Sequence, residues 1–341
     1  MKLFNKDQLR LLITDSCNLS CTYCHNEGQF GAGHFMPLDE VERLARWLRE
    51  QDIYVKSLVI SGGEPTIHPH LIDIVRTLRE SADAISMVTN GVKLDRDVID
   101  QLAAVGMKYI KFGIDAVDGI AMTKGPLLRS PRQDAGAKVL ANALYAREVM
   151  PGSHLNTVVS SYNFDKLRAV VAWCDEHRIG AKFLELIEVR PEIIRINPHR
   201  GTQNHSWFGS LYSRARDLIS SVEYNPRVMK FFARTNSGQV LQFSENFCVF
   251  GSCSNLWTRV DSRGQLVPCI HSPTTRTLSL NGPSIAQVQN VNEEMKTPRL
   301  WPCGKMNLQA PVKVNATSVE VLLEDATTIE FPLTFRSTCV G

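Results

Sequence analysis

Apolar residues recur along the first 190 residues in two alternating patterns. Leu38, Val41, Leu44 and Leu48 follow the spacing of one helix face, whereas residues 58–60 form the short apolar run that a buried strand has. The predicted strands are residues 11–14, 58–60, 85–88, 109–114, 155–159 and 181–187. Helices are predicted from about residue 38, around 71–78 and 98–105, over 134–149 and around 167–174. This alternation predicts a parallel sheet with right-handed crossovers.

The chain beyond residue 190 has weaker patterns. Residues 190–240 carry several arginines with interspersed aromatic residues, which predicts either an anion-binding wall beside the sheet or a solvated, partly helical insertion. Residues 305–336 alternate between apolar and polar positions and predict a β-ribbon.

Composition sets broad bounds on the class of protein. The chain has 341 residues, of which 43% are hydrophobic and 21% charged, as in an ordinary globular protein. The net charge of +3 is too small to indicate nucleic-acid or membrane binding by bulk charge. No signal peptide or membrane span is evident in the sequence. Nine cysteines without a secretion signal indicate metal ligation in a reducing compartment, so we expect a cytoplasmic enzyme.

Three cysteines follow the first predicted strand with the spacing C-x3-C-x2-C: Cys17, Cys21 and Cys24. Three thiolates leave one iron of a cubane iron–sulfur cluster, which normally takes four cysteines, open to a small molecule. A structural zinc site and a plain electron-transfer cluster are the alternatives. Zinc needs a fourth ligand, and His25 is adjacent to Cys24, where ligation would strain the geometry.

Polar residues and glycines follow three of the later predicted strands. Glycines there let a backbone approach a ligand closely, and the Glu64 carboxylate is suited to accept hydrogen bonds from an ammonium group. Ordinary turn chemistry would favour the same residue types. The segments are Ser61-Gly62-Gly63-Glu64-Pro65, Thr89-Asn90-Gly91 and Gly113-Ile114-Asp115.

A second set of cysteines, Cys248, Cys253 and Cys269, lies around a predicted hairpin formed by residues 256–260 and 265–267. A turn centred on Ser262 and Arg263 would place Cys269 opposite Leu256 and near Cys253. The three thiols could hold a second cluster. A zinc site that recruits Cys303, Cys339 or a histidine, or free thiols, would also agree with the pattern.

These motifs together resemble the radical S-adenosylmethionine (radical SAM) superfamily. Within it the chain resembles the GTP 3′,8-cyclase family of molybdenum-cofactor biosynthesis (MoaA-like enzymes), from about residue 10 to residue 270. The resemblance is carried by the cysteine loop with its aromatic Tyr23, by the Gly-Gly-Glu turn, and by two later segments. The later segments are Asn156-Thr-Val-Val with Lys182-Phe-Leu-Glu185-Leu-Ile, and residues 259–269.

The resemblance implies a fold, cofactors and partners. The fold is a partial (β/α)6 TIM barrel over residues 1–190, followed by an auxiliary-cluster and substrate-binding region over residues 191–341. SAM binds the open iron of a 4Fe–4S cluster on Cys17, Cys21 and Cys24. A second 4Fe–4S cluster is held by Cys248, Cys253 and Cys269. Cleavage of SAM gives a 5′-deoxyadenosyl radical that abstracts hydrogen from a small-molecule substrate, with a flavodoxin or ferredoxin as electron donor.

The resemblance also implies binding residues. Those for SAM are Tyr23, Gly62, Gly63, Glu64, Thr89, Asn90, Gly113, Asp115 and Ile187. Those for the substrate are Arg10, His68, His154, Lys182, Trp257 and Arg259.

The chain departs from the family where the family has cations. Trp257 and His68 stand at positions that are Arg in the family, and His154 stands where Lys is usual. The C-terminus, Thr338-Cys339-Val340-Gly341, differs from the family's Gly-Gly tail. Fewer cations give less reason to bind a triphosphate. We therefore expect a paralogue that cyclises or rearranges a nucleoside, nucleoside monophosphate or sugar nucleotide; a peptide-modifying radical SAM enzyme and a non-enzymatic iron–sulfur carrier are the alternatives.

Overall fold

The computed structural model describes most of the barrel and parts of the C-terminal region. The described residues are 8–21, 23–24, 33–118, 135–186, 206–226, 228, 230–244, 258–267, 278–279, 312–323 and 325–334. The C-terminal cysteines Cys248, Cys253, Cys269, Cys303 and Cys339 lie outside them, as do Trp257 and Ile187. No helix among the described residues is long and apolar enough to cross a bilayer.

Strands and helices alternate through residue 185, as the apolar pattern predicts. The strands are β1 (Gln8–Leu12), β2 (Val55–Ser61), β3 (Ala82–Thr89), β4 (Met107–Gly113), β5 (His154–Val159) and β6 (Gly180–Glu185). The helices are α1 (Leu38–Glu50), α2 (Leu71–Leu78), α3 (Arg96–Ala104), α4 (Ala135–Val149) and α5 (Leu167–Glu176). Each of the predicted strands and helices is present, with bounds shifted by a few residues.

The main sheet has the strand order expected of a partial barrel. Strands β1 to β6 are neighbours in chain order, and each adjacent pair is parallel. This arrangement confirms the prediction of an α/β fold built on a parallel sheet. It also brings the carboxyl ends of the six strands to one edge, where the cysteine loop leaves β1.

Residues on each strand alternate between two faces of the sheet. Leu9, Ile110, Phe112 and Leu155 belong to the apolar core that packs beneath the helices. The helices contribute their own apolar faces to that core, such as Val41, Leu44, Trp47 and Leu48 of α1. The side chains at the intervening strand positions therefore face the interior of the barrel.

Residues 206–244 extend the main sheet. They form α6 (Trp207–Ala215), β7 (Ile219–Asn225), β8 (Lys230–Thr235) and β9 (Val240–Ser244), and β9 pairs in parallel with β6. A helix is present, as one of the two expectations has it, but the expectation that this part is solvated is wrong, because packed aromatic rings bury it. Phe208 of α6 lies 4.2 Å from Phe231 and 4.8 Å from Phe243, measured between ring centroids.

The C-terminal strands confirm the predicted β-ribbon. Strands β13 (Val312–Val314), β14 (Ser318–Leu322) and β15 (Thr328–Pro332) form an antiparallel sheet. It packs on α6, where a Cβ added to Gly209 would lie 2.6 Å from Leu323. The amide of Ser206 also donates to the carbonyl of Leu322 at 2.9 Å.

The predicted hairpin exists, but its register differs by one residue from the prediction. Strand β10 (Thr258–Val260) pairs in parallel with β1 and antiparallel with β11 (Gln265–Val267), which also pairs with β12 (Leu278–Ser279). Arg259 faces Val267, so the turn centres on Arg263 and not between Ser262 and Arg263. The reason is an extra turn residue, Gly264, at φ +71°. The predicted alignment of Cys269 with Leu256 falls on residues outside the described ones.

Candidate active site

The cysteine loop places three thiols that form no disulfide, those of Cys17, Cys21 and Cys24, just beyond the end of β1. The amide of Cys24 donates to the carbonyl of Cys21 at 3.2 Å, and the amide of Leu19 donates to the Cys17 sulfur at 3.4 Å. Partial burial, with the nearby charges of Glu64 and Cys24, raises the pKa of Cys17 to about 11. Burial and the charge of Asp115 raise the pKa of Cys21 further. The thiols of Cys17 and Cys21 are therefore protonated without a metal, and cluster binding must release their protons.

The thiol arrangement bears on the choice between zinc and a cluster. Among the residues that the structure describes, no group of three or more His, Cys, Asp or Glu side chains could hold a single metal ion. A cubane binds each thiolate through a different iron, so its ligands need not converge on one point. The donor set, three thiols with mutual electrostatic effects in one short loop, fits a cluster better than a zinc ion.

Tyr23 ties the cysteine loop to the opposite part of the barrel mouth. Its hydroxyl donates to Asp115 Oδ2 at 2.7 Å, just beyond the end of β4. The other carboxylate oxygen accepts from the amide of Val158 on β5 at 3.0 Å. Burial raises the pKa of Asp115 to about 6 although both hydrogen bonds lower it. The loop is thus positioned by strands that lie far from β1 in the sequence.

Gly62 and Gly63 allow the turn after β2 to pack directly on the cysteine loop. The amide of Gly63 donates to the carbonyl of Thr14, and the amide of Glu64 to that of Ser16, both at 2.8 Å. A Cβ on Gly62 would lie 2.3 Å from the Thr14 oxygen, and one on Gly63 would lie 2.0 Å from the Ser16 oxygen. The glycines therefore serve close packing of two backbones, a reason that differs from the expected approach to a ligand.

Glu64 joins the ends of β2 and β3. Its side chain accepts four hydrogen bonds: from the amide and hydroxyl of Thr66 at 3.0 and 2.6 Å, from the Thr89 hydroxyl at 2.5 Å, and from the amide of Asn90 at 2.7 Å. The residue is 1% exposed, and burial raises its pKa against the effect of these donors. Through these hydrogen bonds the Glu64 carboxylate links the ends of β2 and β3 at the mouth of the barrel. Its binding of the SAM ammonium group stays a prediction.

Asn90 connects the end of β3 to the cysteine loop. Its Nδ2 donates to Asn18 Oδ1 at 2.8 Å and lies 3.8 Å from the Cys17 sulfur. Gly113, at the end of β4, lies beside Thr89, since a Cβ there would be 3.5 Å from the Thr89 carbonyl oxygen. The predicted SAM-binding residues that the structure describes thus gather at the carboxyl ends of β1 to β4.

Four of the predicted substrate residues lie on strand positions that face the barrel interior. Arg10 and Arg259 are register neighbours on β1 and β10, and Arg10 donates to the Ser61 hydroxyl at 3.3 Å. Lys182 and His154 lie on the neighbouring strands β6 and β5. The β10–β11 turn reaches the cysteine loop as well, because Arg263 lies 3.3 Å from Asp15 Oδ2.

The side chain of His68 contacts backbone groups and differs in this from the four residues above. Its Nε2 lies 3.0 Å from the carbonyl of Met36, and its Nδ1 accepts from the amide of His70 at 3.1 Å. Both ring nitrogens are occupied by backbone groups, and substrate binding by His68 stays a prediction that these contacts do not support.

Lys111 of β4 is a barrel-interior cation that the sequence analysis missed. It is 7% exposed and is the register neighbour of His154. Its Nζ lies 5.2 Å from the centroid of the Tyr109 ring. The sequence indicates this position of Lys111, because Lys111 lies between Ile110 and Phe112, two core residues on the opposite face of the sheet.

The chain is similar to known proteins that share these features. A profile of the radical SAM superfamily matches residues 11–174. A GTP 3′,8-cyclase from Pectobacterium atrosepticum is 31% identical over 293 residues, which cover 77% of this chain and 79% of the relative. One from Chlorobaculum tepidum is 27% identical over 277 residues, which cover 78% of each chain.

Solved structures share the fold. Streptococcus suis SuiB bound to S-adenosylmethionine matches with a TM-score of 0.60 at 19% identity, and the match covers 82% of this chain and 64% of that one. The chain thus spans less than two thirds of SuiB. The protein anSMEcpe with bound AdoMet matches with a TM-score of 0.59 at 16% identity, over 84% of this chain and 82% of that one.

The protein defined by this fold and cysteine loop is an enzyme of the radical SAM superfamily, to which the chain belongs. Within the superfamily it is a relative of the GTP 3′,8-cyclases, as its motifs imply. Its cofactors are S-adenosylmethionine and a 4Fe–4S cluster. Membership of this enzyme superfamily contradicts the alternative that the protein is a non-enzymatic iron–sulfur carrier.

Proposed function

We propose that the enzyme abstracts a hydrogen atom from a nucleotide, nucleoside or sugar-nucleotide substrate, whose radical then cyclises or rearranges. When bound and reduced, the cluster supplies the electron that cleaves SAM to methionine and a 5′-deoxyadenosyl radical. The residues of the chain position the reactants. Cys17, Cys21 and Cys24 hold the cluster, and Tyr23 and Glu64 fix the loop and strand ends around SAM.

The observation that carries the substrate proposal is the cationic interior of the barrel. Arg10, Lys111, Lys182 and Arg259 occupy strand positions behind the cysteine loop, on the face away from the core. Arginine and lysine are the side chains that bind phosphate and other anionic groups. Similarity to GTP 3′,8-cyclases supports the same class of substrate.

The test of this proposal is SAM cleavage under anaerobic, reducing conditions with a panel of nucleosides, nucleoside phosphates and sugar nucleotides. We expect at least one member to raise the rate of 5′-deoxyadenosine formation and to be converted to a new product, detected by mass spectrometry. A panel that neither stimulates cleavage nor is converted contradicts the proposal.

A peptide-modifying function is the second candidate, because the fold also matches SuiB bound to the precursor peptide SuiA. Turnover of a peptide encoded beside the gene would favour it.

We also propose a second 4Fe–4S cluster on Cys248, Cys253 and Cys269, near the substrate, with a flavodoxin or ferredoxin as electron donor. Two cubanes contain about eight irons per chain, and one contains about four. We expect the anaerobically reconstituted protein to hold about eight irons and the Cys269→Ala variant about four. Iron and zinc are measured together by mass spectrometry. About four irons with one zinc in the wild-type protein would contradict the second cluster.

A further inference from the structure

One buried carboxylate, that of Asp15, connects the cysteine loop to two other segments of the chain. Asp15 lies two residues before Cys17, and its side chain is 0% exposed. Its Oδ1 accepts from the amide of His34 at 2.8 Å, and its Oδ2 lies 3.3 Å from Nη2 of Arg263. A carboxylate out of water is costly unless it is paired and hydrogen-bonded, so these partners stabilise the position of Asp15.

Arg263 comes from the turn between β10 and β11, 248 residues further along the chain. Asp261 fixes the shape of this turn, because its Oδ1 accepts from the amides of Arg263 at 3.0 Å and Gln265 at 2.8 Å. The parallel pairing of β10 with β1 brings the turn to the end of β1, where the cysteine loop begins. The sheet and the turn therefore determine the approach of Arg263 to Asp15.

The backbone of residues 14–16 also supports the Gly-Gly-Glu turn after β2. The carbonyl of Thr14 accepts from the amide of Gly63, and that of Ser16 accepts from the amide of Glu64, both at 2.8 Å. Residues 14–16 thus lie between the Gly-Gly-Glu turn on one side and the cysteine loop on the other. The spacing between the cysteines and that turn depends on the position of these three residues.

This spacing matters for SAM. A SAM molecule that binds the open iron of a cluster on the cysteines and also contacts Glu64 spans the segment, so its affinity depends on how well the two sides are held in place. We propose that Arg263 is a positioning residue for SAM binding, which holds the cysteine loop in place through Asp15. The C-terminal hairpin then forms part of the support of the first cluster.

The inference goes beyond the proposed function, because neither Arg263 nor Asp15 needs to contact the substrate. It applies equally to an enzyme that acts on a nucleotide and to one that acts on a peptide. It also does not require the second cluster, although β11 leads directly towards Cys269, a ligand proposed for that cluster.

The test is binding of SAM to the anaerobically reconstituted, oxidised holoenzyme by calorimetry, with iron content and thermal unfolding measured on the same samples. The variants are Arg263→Met, which removes the charge, and Arg263→Lys, which retains it. The Arg263 side chain is 41% exposed, so the fold should tolerate both. Asp15→Asn and the double variant with Arg263→Met complete a double-mutant cycle. Arg168→Met is the matched control, because Arg168 is an exposed arginine of α5 that pairs with Asp217 at 2.7 Å.

We expect Arg263→Met to weaken SAM binding per cluster roughly tenfold, as does replacement of a partner outside the ligand shell of a metal site. Arg263→Lys should retain most of the affinity. Because Arg263 acts through Asp15, the double variant should bind SAM no more weakly than Asp15→Asn alone. At one SAM concentration, the EPR signal of the reduced cluster should shift less in Arg263→Met than in the wild-type enzyme. Arg168→Met should match the wild-type enzyme in both measurements.

Three results would overturn the inference. The first is wild-type SAM affinity in Arg263→Met. The second is a loss of thermal stability or iron content in Arg263→Met with unchanged SAM affinity per remaining cluster, which a purely structural role of the ion pair predicts. The third is a loss in the double variant equal to the sum of the two single losses in binding free energy, which would show that Arg263 does not act through Asp15.

Discussion

Replacement of Cys21 by Ala is expected to abolish 5′-deoxyadenosine formation. The proposed SAM-binding cluster has three protein ligands, all in one loop, and loss of one would leave an iron without a thiolate. Even partners outside the ligand shell of a metal site cost about 10–100-fold when replaced, so loss of a ligand should cost more than about a hundredfold. The measurement is 5′-deoxyadenosine by liquid chromatography after anaerobic reconstitution and reduction with dithionite.

Cys174→Ala is the matched control for this experiment. Cys174 lies on α5, is 0% exposed and belongs to the apolar core, as its place on an apolar helix face predicts. Its replacement removes a thiol and leaves a small cavity, so a modest loss of stability with normal SAM cleavage is expected. Activity of Cys21→Ala equal to that of Cys174→Ala would refute the assignment of the cluster to this loop.

The barrel could be predicted from the sequence because each of its elements has a strong local signal. Helix α3, for example, has Ile99 and Leu102 on its buried face and ends just before Gly106, which adopts φ +97°. The strands β7 to β9 have weaker signals, since β7 carries polar residues on its solvent face. Their burial depends on Phe208 and on the C-terminal sheet, which are distant in sequence.

The sequence predicts candidate site residues, but it does not give the contacts that hold these residues in place. The alignment of motifs identifies Gly62 and Glu64, but only the folded structure gives the contacts of Gly62 with Thr14 and of Glu64 with Thr89. Lys111 was missed because the strand around it has a nearly continuous apolar pattern. In a barrel, every second side chain of a strand faces the interior. Lys111 lies at such a position, so the alternation of side chains along the strand would have identified it as a lysine of the interior.

Gly62→Ala is expected to disable the cysteine loop although Gly62 carries no reactive group. The new Cβ would lie 2.3 Å from the carbonyl oxygen of Thr14, a group that leads directly into the loop, and the backbone at Gly62 has φ +135°. Forcing these atoms apart disturbs the hydrogen bond from Gly63 to Thr14. Overpacking and backbone strain together should cost about 2–4 kcal/mol of stability, and misplaced ligands should lower both cluster content and SAM cleavage.

Gly238→Ala separates the collision from the backbone strain. Gly238 also has a positive φ, +87°, but a Cβ there would meet nothing within 4 Å. Its replacement should cost about 1–2 kcal/mol from strain alone and leave iron content and SAM cleavage at wild-type levels. The comparison is made by thermal unfolding, iron analysis and 5′-deoxyadenosine formation on both variants. If Gly62→Ala keeps full cluster content and activity, the contact between the two turns does not position the cysteine loop, and the cysteines are held by Tyr23 and Asn90 instead.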